Sequence, residues 1–171
     1  DNIRHARVVL PNPVNASTGG RGGNQRLQAI TDLAFVDNRV FVAGLSNEEF
    51  SSTLRAIPYP FTQVDKGTNV EIWHASHNRF ETNSPIRTFL PYKVNNEQTI
   101  LASYTCTRLV KIPVASLKTG SKVMGTTIAE FGAGNTPLDM IAYSKGGKNF
   151  ILMSNTRHGV LKFAADGLEK F

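Results

Sequence analysis

Ile86-Arg-Thr-Phe-Leu90, Thr99-Ile-Leu-Ala-Ser-Tyr104 and Arg108-Leu-Val-Lys-Ile-Pro113 are the three segments whose reading decides the fold. Each is short and rich in Val, Ile, Leu, Phe and Thr, residues that suit a pleated, half-buried surface. Asn95-Asn96 stands between the first two, where a hairpin needs residues that tolerate a left-handed backbone. The trio therefore predicts strands linked by tight turns.

The same trio occurs twice more. Upstream are Thr31-Asp-Leu-Ala-Phe35, Val40-Phe-Val-Ala-Gly-Leu45 and Thr53-Leu-Arg-Ala-Ile-Pro58, with Asp37-Asn38 at the turn. Downstream are Leu138-Asp-Met-Ile-Ala142, Phe150-Ile-Leu-Met-Ser-Asn155 and Gly159-Val-Leu-Lys-Phe-Ala164, with Gly146-Gly147 at the turn. Leu54, Leu109 and Val160 are equivalent, as are Ile57, Ile112 and Phe163, at spacings of 55 and 51 residues. A fourth strand is expected in two units, from the match of Gly67-Thr-Asn-Val-Glu-Ile-Trp73 to Gly125-Thr-Thr-Ile-Ala-Glu-Phe131. Arg4 to Leu10 is a candidate for the same strand ahead of the first unit. No stretch of 12 or more residues holds a helical period.

Composition narrows the class. The chain has 171 residues, 40% hydrophobic and 19% charged, which fits a folded domain. Its net charge of +6 favours anionic partners without naming one. Basic residues are scattered rather than clustered, which disfavours nucleic acid. No apolar run approaches the ~18–20 residues of a membrane-spanning helix. One cysteine, Cys106, excludes an internal disulfide.

Four antiparallel strands recurring every 50-odd residues describe a propeller blade. Pro137-Leu-Asp-Met-Ile-Ala142, Val40-Phe-Val-Ala43 and Gly159-Val-Leu-Lys-Phe163 resemble the strands of the YVTN/NHL-type β-propeller superfamily. The resemblance covers residues 31–171 and is loose; a tandem sandwich is the alternative. It implies an all-β fold, the β-propeller portion of about three four-stranded antiparallel blades. Residues 1–30 would supply an outer strand and a long loop, 31–73 the first unit, 74–131 the second and 132–171 a truncated third. Propellers typically have four to eight blades. The chain is thus expected to belong to a longer propeller, or to be completed by a second copy of itself. Phe35, Phe41, Phe89, Phe150 and Phe163 are expected in the core between blades.

The resemblance also implies that two sets of loops emerge on one face of the disc, where ligands are usually bound. One set precedes each innermost strand: Pro11 to Ala29 with Gly19-Gly-Arg-Gly-Gly23, then His74 to Ser84, then Gly132 to Thr136. The other set joins second and third strands: Ser46 to Ser52, Thr105-Cys106, and Thr156 to His158. Arg21, Arg26, Glu48, Glu49 and Arg157 are the expected ligand or partner face. His74 and His77 form H-x-x-H, and imidazole suits copper or zinc. His158 or Cys106 would complete such a site, with Glu81 orienting a ligand. The competing reading is a set of solvated loop side chains.

Three functions are carried forward. The first is a binding module that presents the loop-rich face to a protein partner or a small or anionic ligand. The second is a metal-dependent enzyme, copper or zinc, at the channel mouth. The third is a structural subunit of a larger complex. A periplasmic or secreted location is the expectation.

Overall fold

A computed structural model describes residues 9–10, 14–15, 24–47, 51–61, 67–74, 79–81, 84–105, 108–132 and 134–171; for 71–74 and 79–81 it describes the backbone. The described chain is all-β, in three sheets. Sheet 1 holds β1 (Asp32–Val36), β2 (Arg39–Leu45), β3 (Ser52–Pro58), β4 (Thr68–His74) and β5 (Arg79–Glu81), in chain order. Sheet 2 holds β6 (Ile86–Val94), β7 (Glu97–Tyr104), β8 (Arg108–Pro113) and β10 (Thr126–Glu130). Between β8 and β10, the short β9 (Lys122–Met124) leaves to run parallel to β4 of sheet 1. Sheet 3 holds β11 (Pro137–Lys145), β12 (Lys148–Asn155) and β13 (Gly159–Ala164). Every other pairing is antiparallel. Among the described residues the sheets close into no barrel or ring.

The hairpin turns behave as their residues dictate. Asp37, Asn38, Asn95, Asn96, Gly146 and Gly147 all have φ between 48° and 73°. Two successive left-handed residues make the turn whose twist matches that of the flanking strands.

The strands β6–β7–β8 and β11–β12–β13 share one register at a displacement of 51 residues. The row Leu90–Leu101–Lys111 recurs as Ile141–Leu152–Lys162. The row Phe89–Ala102–Val110 recurs as Met140–Met153–Leu161. Even the irregularity between Ile86 and Thr88 is repeated between Pro137 and Asp139. In sheet 1, Ala34–Phe41–Ala56 and Leu33–Val42–Arg55 are the respective corresponding rows.

This register assigns each sheet two faces, because successive strand residues point to opposite sides. The forward face of sheet 1 (Phe41, Ala43, Leu54, Ala56, Val70) packs on the backward face of sheet 2 (Phe89, Ile100, Ala102, Tyr104, Val110, Ile112). The forward face of sheet 2 (Leu90, Tyr92, Leu101, Leu109) packs on the backward face of sheet 3 (Met140, Ile151, Met153, Leu161, Phe163). Sheet 2 is thus buried on both sides. The first strands of the three sheets are tied directly: β6 touches both β1 and β11. The Phe89 N–H donates to Asp32 Oδ2 at 2.7 Å, and the Thr31 hydroxyl donates to the Ile86 carbonyl.

Three aromatic expectations hold and two do not. Phe41 and Phe89 are buried, and Phe163 packs against the second seam. Phe35 is 61% exposed because it lies on the backward face of sheet 1, where no sheet follows among the described residues. Phe150 is half-buried on the forward face of sheet 3, the other end of the stack.

Ile100 and Leu101 are adjacent, both fully buried, and belong to different seams. Ile100→Ala and Leu101→Ala should each lower unfolding free energy by about 2–5 kcal/mol in urea titrations. A loss at only one position would contradict a sheet buried on both faces.

Candidate functional site

The described ends of the loops expected to share a face lie at one end of their sheets. In sheet 2 the Thr105 N–H donates to the Pro85 carbonyl, joining the loop after β7 to the lead into β6. In sheet 3 the Thr156 N–H does the same to Thr136. In sheet 1 the Ser46 N–H donates to Ser51, and Thr31 pairs with Ala43 on the same side. Segment 24–30 lies beside this end, close enough that the Ala29 carbonyl occupies the space of a side chain at Gly44.

The first seam ends here in polar groups. Ser52 is the first residue of β3, Tyr104 the last of β7 and Arg108 the first of β8. Strand alternation turns Ser52 forward with Leu54, and turns Tyr104 and Arg108 backward with Ala102 and Val110, so all three enter the same seam. All three are at most 1% exposed. Arg108 forms an ion pair through one terminal nitrogen with Glu130 of β10, at 3.0 Å. Glu130 is half-exposed, so the pair reaches from the seam to solvent. Arg108 Nε, the Tyr104 hydroxyl and Ser52 Oγ have no well-formed hydrogen bond among the described residues. Burial pushes the Tyr104 phenol far above its ordinary range, and the nearby Ser52 hydroxyl offsets this only in part.

Sheet 3 ends differently. Asn155 Nδ2 donates to Asn135 Oδ1 at 2.8 Å, and both side chains are buried. Asn155 Oδ1 accepts the backbone N–H groups of Arg157 and His158. Asn135 Nδ2 donates to the Phe131 carbonyl. This clamp fixes the short turn and holds the Arg157 and His158 side chains outward, where both are exposed.

The expected site residues fall into three groups. Arg21, Glu48, Glu49, His77 and Cys106 lie outside the described residues. His74 ends β4 opposite Arg79, and Glu81 ends β5 opposite Ile72; the side chains of both lie outside the description. Arg26, Arg157 and His158 are described. Arg26 donates to the Val14 carbonyl at 3.2 Å, and His158 Nε2 lies 3.1 Å from the Phe131 carbonyl. Among the described residues no three His, Cys, Asp or Glu side chains gather to hold a metal ion. No described helix is long and apolar enough to cross a membrane.

Ser52 and Tyr104 were not singled out from sequence. The available signal was polar residues at strand ends whose faces turn inward, and it needs the register to be seen. Comparison with protein-family models, curated proteins and solved structures gives no match to this chain.

Tyr104 supplies a pH test. A phenol held protonated in the folded state stabilises it fully below the unfolded value of about 10, and that contribution is lost as pH rises beyond it. Unfolding midpoints in urea should therefore fall between about pH 9.5 and 11.5. Tyr104→Phe should flatten that fall; an unchanged slope would place the alkaline loss elsewhere.

Proposed function

We propose that the chain is three consecutive blades of a β-propeller, and that it works as a binding module whose loop end receives an anionic group of a partner or small ligand. The observation that carries this reading is the cluster of donors at that end. Among the described residues Arg108, Tyr104 and Ser52 sit in the seam with donor capacity left over, and Arg26, Arg157 and His158 stand exposed at the rim.

The three-sheet stack supports the blade reading through its repeated register and its direct contacts between innermost strands. A seam between blades is apolar along its length and stops being so where the strands end. A guanidinium there is worth most to a ligand that brings a carboxylate or phosphate, since charge-assisted bonds are the stronger ones. Its burial limits competition from water and salt, unlike an exposed lysine. The net charge of +6 draws anions toward the surface without choosing a site.

The test is an amide NMR titration with sodium phosphate and with sodium acetate at constant ionic strength. Shifts should concentrate at residues 104–105, 108, 130 and 156–158. Arg108→Gln should weaken the response at least fivefold, and Arg157→Gln should weaken it less. Shifts spread evenly over the scattered lysines would remove the site.

A further inference from the structure

Arg108 presents a fork that its partner uses incompletely. Its Nη2 lies 3.0 Å from Glu130 Oε1, yet neither Nη2 nor Nε has a well-formed hydrogen bond among the described residues. These two nitrogens lie on one edge of the guanidinium, and their N–H groups point the same way. A planar carboxylate can accept both at once, one per oxygen. Glu130 meets that edge at Nη2 and leaves Nε without an acceptor among the described residues.

An irregularity in β10 brings Glu130 to this place. Thr127 pairs with Val110, and the next paired residue, Ala129, pairs with Leu109. Ile128 is the extra residue between them; without it Ala129, not Glu130, would stand opposite Arg108. Such bulges re-aim a side chain and gather next to functional sites. Residues directly opposite on paired strands share a face, so Glu130 turns toward the guanidinium. The Arg108 side chain is 2% exposed and that of Glu130 47%, so Glu130 is the half of the pair that meets solvent. Sheet 3 makes the same corner without charge. Gly159 begins β13 as Arg108 begins β8, and Asn155 ends β12 as Tyr104 ends β7. There the Asn135–Asn155 pair closes the end of the seam, so that closure does not of itself call for a guanidinium.

We infer that Glu130 is a built-in competitor at this site, and that the ligand is a carboxylate which displaces it and takes Nε and Nη2 together. The inference rests on the anion-binding reading above and names the ligand class and its control. Glu130 shows the chemistry that the fork accepts in the free protein. One guanidinium balances a monoanion, whereas a dianion brings a second charge into a buried place. Tyr104 and Ser52 bring two hydroxyl groups with spare capacity into the same seam end.

Acetate and sulfate titrations of the full chain at constant ionic strength, read on the amides of Tyr104, Thr105 and Arg108, test this. Glu130→Gln should tighten acetate by about fivefold or more, and sulfate by less than half that factor. Arg108→Gln added to Glu130→Gln should abolish the gain. Urea unfolding gives a second readout. Glu130→Gln strands a buried cation, so its midpoint should fall in chloride and recover in acetate, with the wild type little changed. If that variant does not fold, Glu130→Asp keeps the charge on a shorter stem and should tighten acetate by about twofold. A terminally blocked peptide with one glutamate, titrated beside acetate, tells a protein segment from a small acid; a gain on Glu130→Gln with either supports the inference. Equal acetate affinity in the wild type and the Glu130 variants overturns it, and so does an equal gain for sulfate. The anion-binding reading survives those results as long as Arg108→Gln weakens the wild-type response. Shifts absent from residues 104, 105 and 108 in every variant remove both.

Discussion

Sheet 2 must have both faces covered, and the rest of the molecule follows from that. Along β7, Ile100, Ala102 and Tyr104 alternate with Leu101 and Ser103, and all five are fully buried. A strand this apolar on both sides is stable only between two other layers. Sheet 1 and sheet 3 supply them, using opposite faces of an otherwise common design. The side-chain rows then fix the register, since a slip of one residue would exchange the two seams. Gly125 shows how tight the fit is: a side chain there would overlap Val110 of the neighbouring strand.

The same constraint accounts for the polar groups at the loop end. A seam can stay apolar only where two sheets face each other. At the strand ends the backbone must turn, and its N–H and C=O groups need partners. The two seams meet this need differently. The end of sheet 3 uses a neutral amide pair, Asn135 and Asn155, that satisfies several backbone groups at once. The first seam uses Arg108, a cation with more donors than Glu130, its carboxylate partner among the described residues, accepts. A surplus of donors in a buried place costs stability unless something fills it. That difference makes the first seam the place to look for a ligand, and makes the Asn clamp a structural part.

Much of the fold was legible in the chain, because the repeat carries its own evidence. Asn95-Asn96 and Gly146-Gly147 mark the same turn 51 residues apart, and each announces the strand pair around it. The match of Leu109 to Val160 proved to be a match of whole sheet rows. The parallel pairing of β9 with β4 was not legible, since Lys122–Met124 is three residues long and its pattern carries no period. The exposure of Phe35 was missed for a related reason: an apolar residue on a strand reports that its face is suited to burial, not that a partner is present. The candidate site was legible only at its rim. Arg26, Arg157 and His158 were visible because loops with charged residues draw attention. Ser52 and Tyr104 look like ordinary strand residues until the register turns them into one seam.

The ends of the stack are not equally bare, and the inequality bears on how the chain remains folded. On the backward face of sheet 1, Val42 and Ile57 are at most 4% exposed although no sheet of the described residues covers them. Segment 24–30 accounts for part of this: it lies against β2, and Gly44 lets the Ala29 backbone approach where any side chain would collide. Repeat proteins need such caps, because a terminal unit otherwise exposes the face that its neighbours bury. Here the cap stops short of β1 and leaves Leu33 and Phe35 open. Among the described residues sheet 3 has no comparable cover on its forward face. There the Lys162 ammonium lies over the Phe150 ring, 4.1 Å from its centroid. The cover supplied by segment 24–30 thus lies over β2, and Leu33 and Phe35 of β1 keep the apolar exposure of that face.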